Sequence, residues 1–176
     1  MKRVLREAVE WAVTIIVAFV VFLLIRQYVL RTAVVNGSSM APTLSDGDRI
    51  LIGRFFYYLE DPDYGDIVAF PYHEAPTDYY IKRIIGLPGD TIDLSAGEFT
   101  VNGVTLTDAF SAETVSAYGD VSFPITVPEN RYFVLGDNRN SSKDSRYGSV
   151  GFIDKSEFIG KAFFRLTPLG LMGGLR

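Results

Sequence analysis

Cysteine is absent from the 176-residue chain, and histidine occurs once. The first absence excludes a disulfide framework, a thiol nucleophile and a cysteine-based zinc site. It leaves the compartment open, because a domain with a large enough core can fold outside the cell without disulfides. The second leaves the imidazole base of most hydrolytic sites with a single candidate. That residue, His73, lies in the polar, proline-flanked run Pro71-Tyr72-His73-Glu74-Ala75-Pro76. Basic residues are outnumbered, 17 Lys and Arg against 21 Asp and Glu for a net charge of −4. No basic cluster alternates with aromatics, so nucleic acid is not an expected partner. Charged residues at 22% and aromatics at 14% describe a folding chain rather than a disordered one. No repeat or low-complexity tract is present.

A long apolar run, by contrast, is present. Trp11 to Ile25 reads WAVTIIVAFVVFLLI, with Thr14 its one polar residue, and Tyr28 to Leu30 continue it after Arg26 and Gln27. Crossing the hydrocarbon takes about 20 residues. Trp11 to Leu30 suffices if Arg26 and Arg31 snorkel, with Trp11 and Tyr28 where interfacial aromatics sit. A cleaved secretory signal is the competing reading, but no small-x-small site follows closely. The expectation is an uncleaved single-pass anchor in a lipid bilayer. Lys2, Arg3 and Arg6 before the run against Arg26 and Arg31 after it favour a cytoplasmic N-terminus.

Beyond Leu30 the pattern changes to short apolar runs separated by turn chemistry. Residues 49–52, 66–70, 79–85, 91–94 and 131–135 have the composition and spacing of strands in an all-β domain. Asn102-Gly103 between Phe99-Thr100-Val101 and Val104-Thr105-Leu106 signals a hairpin. Residues 107–128 have few long apolar runs and are expected to form an inserted loop or small subdomain. The predicted class is mainly β with one N-terminal transmembrane helix.

Two residues then stand out chemically. Ser39 lies in Val35-Asn36-Gly37-Ser38-Ser39-Met40-Ala41-Pro42-Thr43-Leu44, just past the apolar run, and Lys82 lies in Tyr80-Ile81-Lys82-Arg83-Ile84-Ile85. A serine hydroxyl needs a base to become a useful nucleophile. A lysine can be that base when burial leaves its amine neutral. Strand alternation puts Tyr80, Lys82 and Ile84 on one face and turns Arg83 the other way. Alone, each could be ordinary: a turn serine after a glycine, or a lysine snorkelling from a half-buried strand. Gly37-Ser38-Ser39-Met40-Ala41 lacks the final glycine of a nucleophile elbow, and no lysine follows any serine by three positions. A third cluster, Gly136-Asp137-Asn138-Arg139-Asn140-Ser141-Ser142-Lys143-Asp144-Ser145-Arg146, follows the last predicted strand. It carries the hydroxyl, carboxylate and guanidinium groups that could orient a buried amine and pair with each other.

Together these segments resemble bacterial type I signal peptidase, in its compact Gram-positive-like form. The resemblance runs from the apolar run to Phe164 through four boxes in order: Ser39, Gly65-Asp66-Ile67-Val68, Lys82-Arg83 to Gly89-Asp90, and Gly136-Asp137-Asn138-Arg139 to Asp144-Ser145-Arg146. It implies a Ser–Lys serine endopeptidase fold with Ser39 as nucleophile and Lys82 as general base. Ser142 would orient the lysine, with Asp144 and Arg146 as a supporting pair. The oxyanion region would be Gly37 and the Ser39 backbone N–H. Val35, Met40, Leu44, Tyr80 and Ile81 would shape small pockets for an Ala-x-Ala sequence before the cut. Gly37 departs from the branch that places a serine there. The resemblance implies no metal and no cofactor, and its partners are signal peptides of exported preproteins. It divides the chain into a cytoplasmic N-terminus and anchor over 1–31 and an extracytoplasmic catalytic β-domain over 32–176. Two rivals remain: a self-cleaving repressor-type Ser–Lys protease and a membrane-anchored β-module without activity.

Overall fold

The short apolar runs form two antiparallel sheets in the structure, a computed structural model that describes residues 2–25, 29–72, 75–106 and 114–175. The first sheet is built from β1 (Leu30–Val34), β2 (Arg49–Gly53), β3 (Ile67–Tyr72) and β4 (Ala75–Gly86). The second begins with β5 (Thr91–Ser95), β6 (Glu98–Val101), β7 (Val104–Thr105) and β8 (Ile125–Thr126). The chain then returns to the first sheet as β9 (Arg131–Leu135), β10 (Ile153–Asp154), β11 (Gly160–Thr167) and β12 (Gly173–Gly174). The strand order is β1-β2-β11-β3-β4-β9-β10, with β12 also on β11, and β7-β6-β5-β8 in the smaller sheet. A mainly β fold is therefore correct. Asn102 (φ 52°) and Gly103 (φ 78°) turn between β6 and β7, both left-handed as a two-residue hairpin turn of the primed kind requires.

Alternation along β3 and β4 divides the interior. Ile67, Ala69 and Ile81 join Val35, Met40, Leu44, Ile50 and Ile52 in one cluster. Val68, Phe70 and Ile84 join Tyr132, Val134 and Phe158 in another, on the opposite face. A third cluster, around Ile85, Ile92, Phe99 and Phe133, fills the space between the sheets. The segment that sequence treated as an insertion is partly accounted for. Residues 107–113 lie outside the described residues, whereas Ile125 and Thr126 pair with β5 as β8, and Val115 is buried.

At the N-terminus, α1 covers Lys2–Leu24, and its large apolar side chains, among them Trp11, Ile15, Phe19 and Phe22, are exposed. Among the described residues no helix is long and apolar enough to cross a membrane. The first sheet reaches into the segment 1–31. Leu30 and Arg31 pair with Gly53 and Ile52, so the sheet starts inside the segment assigned to the anchor. Apolar character alone cannot separate the end of a helix from the first residues of a strand that continues it. Beyond α1 the helical pieces are short, the four-residue α2 (Phe56–Leu59) and single 3-10 turns.

One tight contact fixes how β2 meets β11. A Cβ added at Gly160 would fall 2.5 Å from the carbonyl oxygen of Gly53. Gly160→Ala should destabilise the domain by about 1–3 kcal/mol, the usual cost of overpacking. A thermal melt unchanged to within a degree would show that the strands can separate there at no cost.

Candidate active site

β1 leads through Val35 into a tight turn that carries Ser39. Val35 donates its N–H to Asp48 O (2.8 Å) and accepts from Gly47 N–H (2.9 Å), closing the loop, while Leu44 N–H reaches Met40 O (2.8 Å). Gly37 has φ +87°, a conformation costly for any side chain, and its N–H donates to Asp46 Oδ1 at 2.7 Å. That donor is therefore committed to holding the turn. The Ser39 N–H, by contrast, makes no hydrogen bond among the described residues.

Lys82 comes from the middle of β4, opposite Val68 of β3, and is 2% exposed. Its Nζ lies 2.7 Å from Ser39 Oγ and 3.2 Å from Ile81 O, and sits 4.9 Å from the Tyr80 ring centroid. As an ammonium it donates to the hydroxyl; as an amine it can accept the hydroxyl proton at the same distance. Burial lowers its pKa from 10.5 to about 8. Asp144 and Asp137 oppose that shift, and Arg146 reinforces it.

The two carboxylates do not face Lys82 unaccompanied. Asp144 and Arg146, both wholly buried, form a two-pronged pair with N–O distances of 2.8 Å. Arg146 also donates to Arg139 O and Ala117 O, and Asp144 accepts from Gly136 N–H. Sequence reasoning gave no role to the second pair. Arg83 Nε and an Nη donate to the two oxygens of Asp137 at 2.9 and 2.7 Å. Arg83 reaches Gly65 O at 2.7 Å as well, so it joins β4, the entry to β3 and the loop after β9. Its signal was available: a cation on the core side of a strand needs a carboxylate, and Asp137 heads the third cluster.

That loop also closes on the Ser39 turn. Asn138 donates its N–H to Ser39 O (3.0 Å) and its side-chain amide to Ser38 O (3.2 Å). The approach needs Gly136, where a Cβ would lie 2.4 Å from Ser39 O and 2.2 Å from Ser142 Oγ. Ser142 Oγ is buried without a hydrogen-bond partner, so the bond expected from it to Lys82 is not made. Asn140, another residue the sequence did not single out, binds Ser116 N–H and Thr114 O, tying the loop to residues 114–117.

A cavity of about 240 Å³ opens at Ser39 and Lys82, with Val35, Met40, Tyr80 and Ile81 in its walls and Ser141 and Lys143 at one side. Leu44, expected among the pocket residues, is instead wholly buried in the core and does not reach the cavity. Its place in the helical turn after Met40 points it inward. His73 lies outside the described residues. Among those described, no group of three or more His, Cys, Asp or Glu could hold a metal ion. A hydroxyl and a buried amine in contact, beside a small open cavity, can carry out acyl transfer.

A family model described as "Signal peptidase, peptidase S26" matches residues 8–167. The chain belongs to the signal peptidase family. Among its curated relatives, a probable signal peptidase I-2 of Synechocystis is 39% identical over 93% of this chain and 75% of its own length. Signal peptidase I S of Bacillus subtilis is 35% identical over 95% of this chain and 93% of its own. A crystal structure of a signal peptidase I from Enterococcus faecalis has a TM-score of 0.50 and 34% identity. It covers 58% of this chain and 97% of that one. The Bacillus relatives agree with the compact form inferred from sequence. As a member of the signal peptidase family, the chain is a serine peptidase by descent.

The depressed pKa of Lys82 has a thermodynamic consequence with a definite sign. Below pH 8 both states carry the proton, and the folded state bears the cost of burying it. Between about 8 and 10.5 the unfolded state binds more protons, so stability rises with pH. Lys82→Met should therefore be more stable than wild type near pH 7, by up to roughly 3 kcal/mol. The gain should shrink above pH 10, as paired denaturation curves at the two pH values would measure. A destabilised Lys82→Met at pH 7 would mean that the contacts of the amine outweigh its desolvation.

Proposed function

We propose that this chain is a membrane-bound serine endopeptidase that removes N-terminal signal peptides from exported preproteins, cutting after small-x-small sequences such as Ala-x-Ala. The observation that carries the proposal is the 2.7 Å contact between Lys82 Nζ and Ser39 Oγ in a buried site. Membership of the signal peptidase family and the relatives' names support the substrate class.

In the proposed mechanism Ser39 Oγ attacks the scissile carbonyl carbon while Lys82 Nζ takes the hydroxyl proton. The carbonyl oxygen becomes an oxyanion, for which the open Ser39 N–H is the backbone donor. Collapse breaks the C–N bond, and the Lys82 ammonium returns its proton to the departing amine of the mature protein. The signal peptide is left as an ester on Ser39. Water, deprotonated by the neutral Lys82, then hydrolyses the ester and restores the hydroxyl. Val35, Met40, Tyr80 and Ile81 wall the space beside the nucleophile, and the proposed reading places the small residue before the cut against them. Asp144–Arg146 and Arg83–Asp137 hold the loop and strand that bring serine and lysine together. Ser142 would orient the lysine after rotation of its hydroxyl.

The exposed apolar side chains of α1 support an anchor, and Lys2, Arg3 and Arg6 ahead of the apolar run favour a cytoplasmic N-terminus, with the β-domain on the outer side of the cell membrane. On this reading the division falls into an anchor and a catalytic domain, with β1 as the first strand of the latter.

Ser39→Ala should abolish cleavage of a preprotein, whereas Ser38→Ala should retain substantial turnover; the reverse result would reassign the nucleophile. Because an arginine cannot deprotonate in the accessible range, Lys82→Arg should be inactive. For the wild type, kcat/KM should rise with pH on an acid limb near pH 8, where Lys82 becomes neutral. An enzyme equally active at pH 5 and pH 9 would remove Lys82 from the role of base.

A further inference from the structure

Beside the candidate site lies a second hollow, of about 500 Å³. Its walls are Phe22 of α1, Ile25 just beyond it, Leu30, Arg31 and Thr32 of β1, and Tyr79 of β4. Tyr79 also lines the cavity that holds Ser39 and Lys82, so the two hollows adjoin along one side. β1 runs between them: its Leu30 end borders the larger hollow, and its other end continues through Val35 to Ser39. β1 is also the outermost strand of its sheet. The apolar walls are open to a ligand, with Phe22 56%, Ile25 43% and Tyr79 45% exposed.

We infer that this hollow receives the last apolar residues of a signal peptide's hydrophobic core, and so sets the spacing between that core and the cut. The inference rests on the proposed function and names a substrate contact upstream of the small pockets. Direction follows from topology. Substrate and α1 leave the same face of the bilayer, so the upstream part of the substrate lies toward the Leu30 end of β1 and its scissile bond toward Ser39. A substrate extended alongside β1, with its scissile bond at Ser39, brings residues upstream of the small pockets to the level of Thr32. Burying an apolar side chain against Phe22, Ile25 and Tyr79 is favourable, and Arg31 in the same wall disfavours insertion of anything but the end of the core. The continuity through Tyr79 makes the substrate, rather than an unrelated ligand, the occupant.

The test uses the full chain in lipid vesicles and two substrates: a preprotein, and a short peptide reaching only from three residues before the cut to two after it. Thr32→Trp, which fills the hollow, should lower kcat/KM for the preprotein about tenfold, mainly through KM, and leave the short peptide unaffected. Phe22→Ser, which removes an apolar wall without touching the sheet, should act in the same direction. Replacing the final core leucine of the preprotein by serine should cost the wild type about tenfold and Thr32→Trp little more. Three results overturn the inference while leaving the proposed function intact. One is an equal loss on both substrates, and another is no loss on the preprotein. The third is a loss that follows the lipid acyl chains rather than the substrate's upstream residue, which would make a lipid the occupant. Failure of the wild type to cut either substrate would overturn the proposed function, and this contact with it.

Discussion

A lysine amine can work as a base near neutral pH only if its surroundings withhold water without offering it a carboxylate of its own. The site meets both conditions. Lys82 is covered by β3, β4 and the loop after β9, and burial is the largest influence on its proton affinity. Two carboxylates, Asp137 and Asp144, come close enough to favour the ammonium, yet each is held in a two-pronged grip by a guanidinium, Arg83 and Arg146. An unpaired buried carboxylate there would bind the proton to Lys82 far more firmly. The ion pairs therefore serve two ends: they close the loop over the serine, and they keep the neighbouring negative charge engaged elsewhere.

The same loop depends on a segment that carries no candidate chemistry. Arg146 O accepts from the backbones of Asp120 and Val121, Gly148 N–H meets Asp120 Oδ1, and Asn140 bridges to Thr114 and Ser116. Residues 114–121 thus brace the loop. A Cβ at Gly119 would lie 2.2 Å from the carbonyl oxygen of Arg146, so brace and loop are packed in direct contact.

Much of this was legible in the sequence where a local rule governs the outcome. The Asn102-Gly103 turn, the alternation along β4 and the clustering of Ser39, Lys82 and the loop from Gly136 follow from turn chemistry, pleat and motif. What escaped is long-range. β8 is two residues long, and only its partner β5 makes it a strand. The start of β1 is hidden in an apolar run because its strand character comes from pairing with β2, Leu30 with the distant Gly53. Leu44 entered the pocket set through the family resemblance, but the helical turn from Met40 sends it into the core. The bond from Ser142 could not be judged from residue type, since it depends on a side-chain rotation. Arg83 was legible in part: its direction followed from the pleat, but its partner lies 54 positions away.

The junction between helix and sheet has a consequence for kinetics. Arg54 N–H donates to Val29 O, and Leu30 already pairs with Gly53, so ordered sheet begins within five residues of the end of α1 at Leu24. Five residues span at most about 17 Å, even fully extended. In an anchored enzyme so short a tether would keep the β-domain, and Ser39 with it, close to the lipid surface. Encounter with a membrane-borne substrate then loses a dimension, leaving lateral diffusion and rotation about the membrane normal as the motions that bring the two together. Turnover would scale with the number of enzyme and substrate molecules per unit area of membrane, and dilution of the surrounding solution would leave it unchanged.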